Sequence, residues 1–150
     1  MTAVRVADDE HRRADAFAVR QTVFVEEQGV DEDLEYDEHD EPDADAVHFV
    51  AYAGGQPVGA ARLREYETDD GDVVGKVERV AVLESHREAG VGRELMDATE
   101  AAARERGFGA IKLHAQMRVE GFYRSLGYES RGEEFEEAGI PHVEMRKSLD

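Results

Sequence analysis

The residue pattern of this 150-residue chain points to an α/β (α+β) protein with a mixed sheet of about seven strands and helices on both faces. Three observations support that architecture. Strand-like and helix-like segments alternate as strand, helix, three strands, helix, strand, helix, two strands, an order that places helices against a mixed sheet. Hydrophobic residues make up 41% of the chain, enough to close a core, and the length suits one domain spanning 1–150. No internal repeat or linker interrupts the pattern.

Residues 3–7 alternate as a short strand, and Asp8 or Asp9 then caps a helix with Ala16, Val19 and Val23 on one face. That helix is expected to run to about Gln28 and Gly29. Residues 31–45 follow, with ten Asp or Glu among fifteen; having no apolar period, the segment reads as a solvated loop. It lacks the glycine and ligand spacing of a calcium loop. Strands are expected over 47–53, 58–66 and 73–83, the first two forming a hairpin around Gly54-Gly55-Gln56. A strong helix opens after Gly90 and Gly92, with Val91, Leu95, Ala98 and Ala102 on one face and Gly107 ending it. Ile111, Leu113 and Ala115 alternate with Lys112, His114 and Gln116 along another strand. A short helix over 118–126 precedes two antiparallel strands around Gly139-Ile140-Pro141.

Composition narrows the function classes. The chain has no cysteine, which excludes disulfides, thiolate metal sites and a cysteine nucleophile; its histidines match no metal-ligand spacing, so no metal is expected. No run approaches the roughly 20 apolar residues of a membrane span, and the N-terminus lacks a secretory apolar segment, so a cytoplasmic protein without a membrane partner is expected. Thirty-six acids against eighteen Lys plus Arg give a net charge of −18, and only residues 76, 112 and 147 are Lys. Such a surface suits a halophilic cytoplasm, where the Debye length falls to about 3 Å at 1 M salt. With no basic stripe, a nucleic-acid partner is not expected.

The segment richest in chemistry is Arg87-x-x-Gly90-x-Gly92-Arg93, which joins an apolar strand to the strong helix. The first N–H groups of a helix lack internal partners and carry partial positive charge. Two glycines let a bulky anion come close, and Arg87 and Arg93 add cationic donors, so the turn reads as a diphosphate cradle. It is not a nucleotide-triphosphate loop, because Gly92 is followed by Arg93-Glu94. It is not a dinucleotide fingerprint either, because the third glycine position holds Leu95.

This arrangement resembles the acetyl-coenzyme A loop of the GNAT superfamily of N-acetyltransferases. Gly121-Phe-Tyr-Arg-Ser-Leu-Gly-Tyr128 resembles the Phe-Tyr-x-x-x-Gly-Phe/Tyr signature of the same superfamily. Val23-Phe-Val-Glu-Glu-Gln28 and Ala138-Gly-Ile-Pro-His142 are similar to its ElaA and YjcF branch. The resemblance implies a mostly antiparallel, V-splayed sheet, parting between the strands at 77–83 and 111–116. It implies acetyl-CoA (coenzyme A) as cofactor, held by Val80, Ala81, Val82, Arg87, Glu88, Ala89, Gly90, Val91, Gly92, Arg93 and Phe122. It also implies acetyl transfer to a primary amine of a small molecule or peptide; related enzymes are often homodimers, but the sequence does not fix the oligomeric state.

In that scheme a backbone N–H near Val80 or Ala81 faces the developing oxyanion, and Tyr123 donates to the departing thiolate. An alkyl amine of pKa roughly 10 must lose a proton, and Glu78, at the parity of Val80 and Val82, is the candidate acceptor. An ion pair with a neighbouring Arg is an equal reading of Glu78. Without the motif, Tyr123 would read as a core tyrosine. Arg20, Phe24, Gln28, His114 and His142 are assigned to the acceptor groove, with His114 read as a satisfied histidine ahead of a base. Two other classes fit the same fold: an acyl-CoA-binding regulatory module without chemistry, and an interaction protein working through the acidic segment.

Overall fold

Alternating apolar residues become the strands of one twisted sheet in the computed structural model, which describes residues 2–149. The strands are β1 (Thr2–Val6), β2 (Ala46–Ala53), β3 (Gln56–Glu67), β4 (Val73–Val82), β5 (Ala110–Gln116), β6 (Glu129–Glu137) and β7 (Ile140–Ser148). They lie in the order β1-β2-β3-β4-β5-β7-β6, all neighbours antiparallel except β4 and β5. Helix α1 (Glu10–Arg20), capped by the Asp9 side chain, covers one face. Its Ala16 and Val19 pack with Val23, Val50, Ala60 and Ala81. Helices α3 (Val91–Glu105) and α4 (Glu120–Ser125) cover the other face, over Phe49, Leu63, Val77, Leu113 and Met145. Among the described residues no helix is long and apolar enough to cross a membrane.

Several boundaries differ from the sequence expectation. The first helix does not continue regularly to Gln28: after Arg20 it widens into a π-helical stretch, Gln21–Glu27. Periodicity cannot distinguish such a widened turn from an α-helix. The buried face of α3 is Val91, Leu95, Met96, Thr99 and Ala103, while Ala98 and Ala102 are only partly covered. The last hairpin turns at Ala138 and Gly139, both with positive φ, rather than at Gly139-Ile140-Pro141.

The acidic segment departs furthest from its expected solvated loop. It contains a short helix, α2 (Glu32–Glu35), and a 3-10 turn at Glu38–Asp40; Glu35, Asp37 and Asp40 turn inward, while its other acids stay exposed. Arg20, 1% exposed, bonds Glu35 at 2.8 Å and Asp40 at 2.7 and 2.9 Å. Arg62, also 1% exposed, bonds Asp37 at 2.7 and 3.0 Å, Asp40 at 3.0 Å and Glu78 at 2.9 Å. Buried guanidinium groups need such partners, because leaving one unpaired is costly. The three lysines are paired as well: Lys76 with Glu78, Lys112 with Glu144, and Lys147 with Glu100.

This network reaches the middle of the sheet. Between the pairs Ala60↔Ala81 and Arg62↔Glu78, β4 carries one residue more than β3. The extra residue makes a β-bulge, with Arg79 at φ 57°, a conformation L-residues rarely adopt. The Arg79 side chain donates to the Glu35 carbonyl at 3.1 Å and the Leu34 carbonyl at 3.3 Å, and meets Asp37 at 3.4 Å. A bulge bends its strand, and β4 leaves β5 at this point: their pairing covers Gly75↔Ile111, Lys76↔Lys112 and Val77↔Leu113, then stops. The splay expected between these strands is therefore present.

Burial alone would raise the Asp40 pKa, but the Arg20 bonds and the Arg62 charge hold it at about 2. A depressed folded-state pKa means that the unfolded chain binds the proton more readily. This contribution to stability is therefore complete above the unfolded value of about 3.8 and is lost as pH falls towards 2. Urea unfolding between pH 5 and 2 should show stability falling through that window by about 2 kcal/mol more in wild type than in Asp40→Asn.

Candidate active site

Where β4 and β5 part, a cavity of about 680 Å³ opens, lined from both strands, the π-helical stretch, the start of α3, α4 and the β6–β7 turn. Its floor on the α3 side is the turn before that helix. A 3-10 turn at Glu84–His86 leads through Glu88, φ 69°, to Gly90, φ 84°. No described group accepts from the N–H groups of Glu88, Gly90, Val91, Gly92 and Arg93, and the first bond of this stretch runs from Glu94 N–H to the Gly90 carbonyl at 3.1 Å. Gly90 needs its left-handed backbone, and a side chain there would point into open space. Gly92 is constrained differently: a Cβ there would come within 3.0 Å of the Phe122 ring.

The residues assigned to the donor from sequence line this cavity, with one exception. Ala89 does not, and its N–H is directed to the His86 carbonyl at 3.4 Å. Arg87 lines the cavity but does not offer a free guanidinium. Its Nε donates to the Val82 carbonyl at 2.9 Å, and its two terminal nitrogens bond Glu27, each at 2.7 Å. Arg93, exposed beside the turn, has no ion pair among the described residues. The Leu83 N–H bonds the Val58 carbonyl on the β3 side. Strand alternation therefore turns the N–H groups of Val82 and Val80 to the open side, where the Val82 carbonyl meets Arg87.

Tyr123 lies under the cavity, 6% exposed, its ring edge-on to Phe122 and Tyr128. Among the described residues nothing hydrogen-bonds its hydroxyl, and burial pushes its pKa well above the ordinary phenol value. On the opposite face, Phe24, Gln28, His114 and His142 line the cavity as assigned. Gln28 accepts from Gln116 at 2.9 Å. His114 Nδ1 lies 3.1 Å from a Glu137 oxygen, and His142 Nδ1 lies 2.6 Å from the Ile140 carbonyl.

Two assignments are corrected. Arg20 does not line the cavity; it is buried against Glu35 and Asp40 and shapes the wall from behind. Glu78 lines the cavity but is held by Arg64 at 2.7 Å, Arg62 at 2.9 Å and Lys76 at 3.4 Å. Burial works to raise its pKa, yet these cations hold it far below the ordinary carboxylate range, so it is a poor proton acceptor. The bulge at Arg79 also breaks the two-residue period, putting Glu78 on the Ala81 face rather than with Val80 and Val82.

Residues that sequence reasoning missed include Gln116, Arg118 and Glu137, all at the cavity. Gln116 shares alternation with His114 and could have been found. Glu137 reaches the site only through the pairing of β6 with β7, which leaves no mark in the local sequence.

This geometry agrees with the relatives of the chain. Residues 8–149 match the acetyltransferase (GNAT) domain, and the chain belongs to that family. It is 45% identical to YjcF of Bacillus subtilis, described as an uncharacterized N-acetyltransferase, covering 95% of this chain and 96% of that protein. It is 32% identical to the protein ElaA of Escherichia coli, over 87% and 84% of the two chains. The crystal structure of Escherichia coli ElaA superposes with a TM-score of 0.82 at 26% identity, over 98% and 99%. An aminoglycoside 6'-N-acetyltransferase complexed with coenzyme A shares the fold at a TM-score of 0.72 and 14% identity, over 100% and 97%.

Glu78→Gln should leave three cations short of a shared acceptor. Chemical denaturation should record a loss of about 3 kcal/mol, in the range for breaking a buried pair. A variant as stable as wild type would remove the structural reading of Glu78.

Proposed function

We propose that the protein transfers an acetyl group from acetyl-coenzyme A to a primary amine of a small molecule or peptide, by direct attack of the amine on the thioester. The carrying observation is the group of free N–H donors of Glu88, Gly90, Val91, Gly92 and Arg93, facing a cavity between splayed strands. Donors arranged this way at a helix start fit a diphosphate, and the Arg93 cation lies beside them. The acetyl donor supplies an activated thioester carbonyl when bound. The Val80 N–H, on the open edge of β4, is placed to stabilise the developing oxyanion. Tyr123, kept protonated by burial, donates its hydroxyl hydrogen bond towards the departing sulfur. Phe24, Gln28, His114 and His142 border the approach of the amine from the α1 side.

The bonds of Arg87 to Glu27 and to the Val82 carbonyl support a different role from the one its sequence position suggested. It ties the π-helical stretch to the end of β4 and so fixes the width of the cleft.

Coenzyme A at about 100 times its Kd should raise the melting temperature by roughly 5–10 °C. Gly92→Leu, which forces a side chain into Phe122, should abolish that rise while the fold persists by circular dichroism. Thiol release from acetyl-coenzyme A across a panel of primary amines tests the transfer itself, and Tyr123→Phe should slow it by at least about tenfold with coenzyme A binding retained. Absence of any melting shift in wild type would reject the reading.

A further inference from the structure

We infer that His114, oriented by Glu137, takes the proton of the attacking amine on the face of the sheet opposite Tyr123; this rests on the acyl-transfer reading above. The last pair joining β4 to β5 is Val77↔Leu113, so His114 is the first β5 residue beyond the vertex of the splay. Ile111, Leu113 and Ala115 point into the core under α3 and α4, the core that also holds Tyr123. Alternation therefore turns His114 to the other face, that of α1, together with Gln116, whose amide bonds Gln28 of the π-helical stretch. An amine approaching past Phe24 and Gln28 meets His114 on its own side of the cleft, while the sulfur leaves on the side of Tyr123.

A carboxylate only accepts hydrogen bonds, so the 3.1 Å contact with Glu137 places the ring proton of His114 on Nδ1. Nε2 then carries the lone pair, and no described group bonds it. The Phe135 ring, 4.9 Å away and edge-on, holds the imidazole plane. His142, in contrast, directs Nδ1 to the Ile140 carbonyl, with Nε2 3.8 Å from the second Glu137 oxygen.

The charges around His114 come from every neighbouring strand. Glu137 and His142 face it from the β6–β7 hairpin, Glu144 is its register partner on β7, and Lys112 precedes it by two on β5. Lys76 and Glu78 lie on β4. Glu137 bonds the ring directly, whereas Glu78 is committed to Arg62, Arg64 and Lys76.

The step balances without another reagent. The amine nitrogen forms a bond to the thioester carbonyl carbon and its proton passes to His114 Nε2. The carbon–sulfur bond breaks with the electron pair going to sulfur, which accepts a hydrogen bond from the Tyr123 hydroxyl and takes a proton from solvent. His114 returns its proton to solvent, and the products are an amide and a thiol.

Two measurements on the full chain test this. In 15N spectra of the imidazoles, His114 should be protonated on Nδ1 in the neutral form, and Glu137→Gln should weaken that preference. Wild type protonated on Nε2 would overturn the proposal whether or not an acceptor is known. With acetyl-coenzyme A and the probes ethylamine and 2,2,2-trifluoroethylamine, His114→Gln should lower kcat/KM for ethylamine about 100-fold at pH 7. The loss should be much smaller for the fluorinated amine, already largely neutral at that pH. The acidic limb of the pH profile should vanish in His114→Gln. An unchanged profile in His114→Gln, with the coenzyme A melting shift intact, would overturn the role of His114 and leave the transfer reading standing. Loss of that shift in wild type would overturn both.

Discussion

The rest of the site depends on the separation of β4 from β5 after Val77, and an arginine–carboxylate network holds that separation. A parallel pair that continued its ladder would leave no room for a substrate and no free backbone edge. The bulge at Arg79 turns β4 away, and Arg79 itself is anchored on α2 and Asp37. A non-glycine residue at φ 57° is strained, so it persists where surrounding bonds over-determine it. The segment that supplies those bonds is thus a structural part of the cleft, although thirty residues or more separate it from β4 in sequence.

Much of this was legible from the residues. Order and periodicity of the segments gave the mixed sheet with helices on both faces. The glycine spacing before α3 identified the turn whose N–H groups are free, and the motif around Tyr123 pointed to a residue that lines the cavity. Inward pairing of Glu35, Asp37 and Asp40 was not legible, because composition records how many charges a segment has and not where they point. The bulge was hidden for a related reason: an extra residue in β4 exists only relative to β3. Missing it carried Glu78 to the wrong face and left a base reading standing beside the ion pair that the structure shows. Arg20 was misplaced in the same way, since its burial depends on partners fifteen and twenty residues away.

In the proposed transfer, placing Tyr123 and His114 on opposite faces separates two tasks that conflict in one solvent pocket. One group must stay protonated to assist a leaving sulfur, and the other must begin unprotonated to receive from nitrogen. Burial among Phe122 and Tyr128 keeps the phenol protonated, and in the proposed scheme Glu137 fixes the imidazole proton on Nδ1 and leaves Nε2 to receive. The sheet divides these environments, and the gap at its centre is where they meet.

The pairing of the three lysines has a chemical consequence of its own. Reactive thioesters acylate exposed amines without any catalyst, so a protein that handles them is exposed to damage by its own reagent. Here Lys76, Lys112 and Lys147 turn their nitrogens into ion pairs, with side chains 13%, 10% and 23% exposed. The remaining side-chain cations are guanidinium groups, which do not react in this way at neutral pH. The chain therefore shows its substrate few competing nucleophiles.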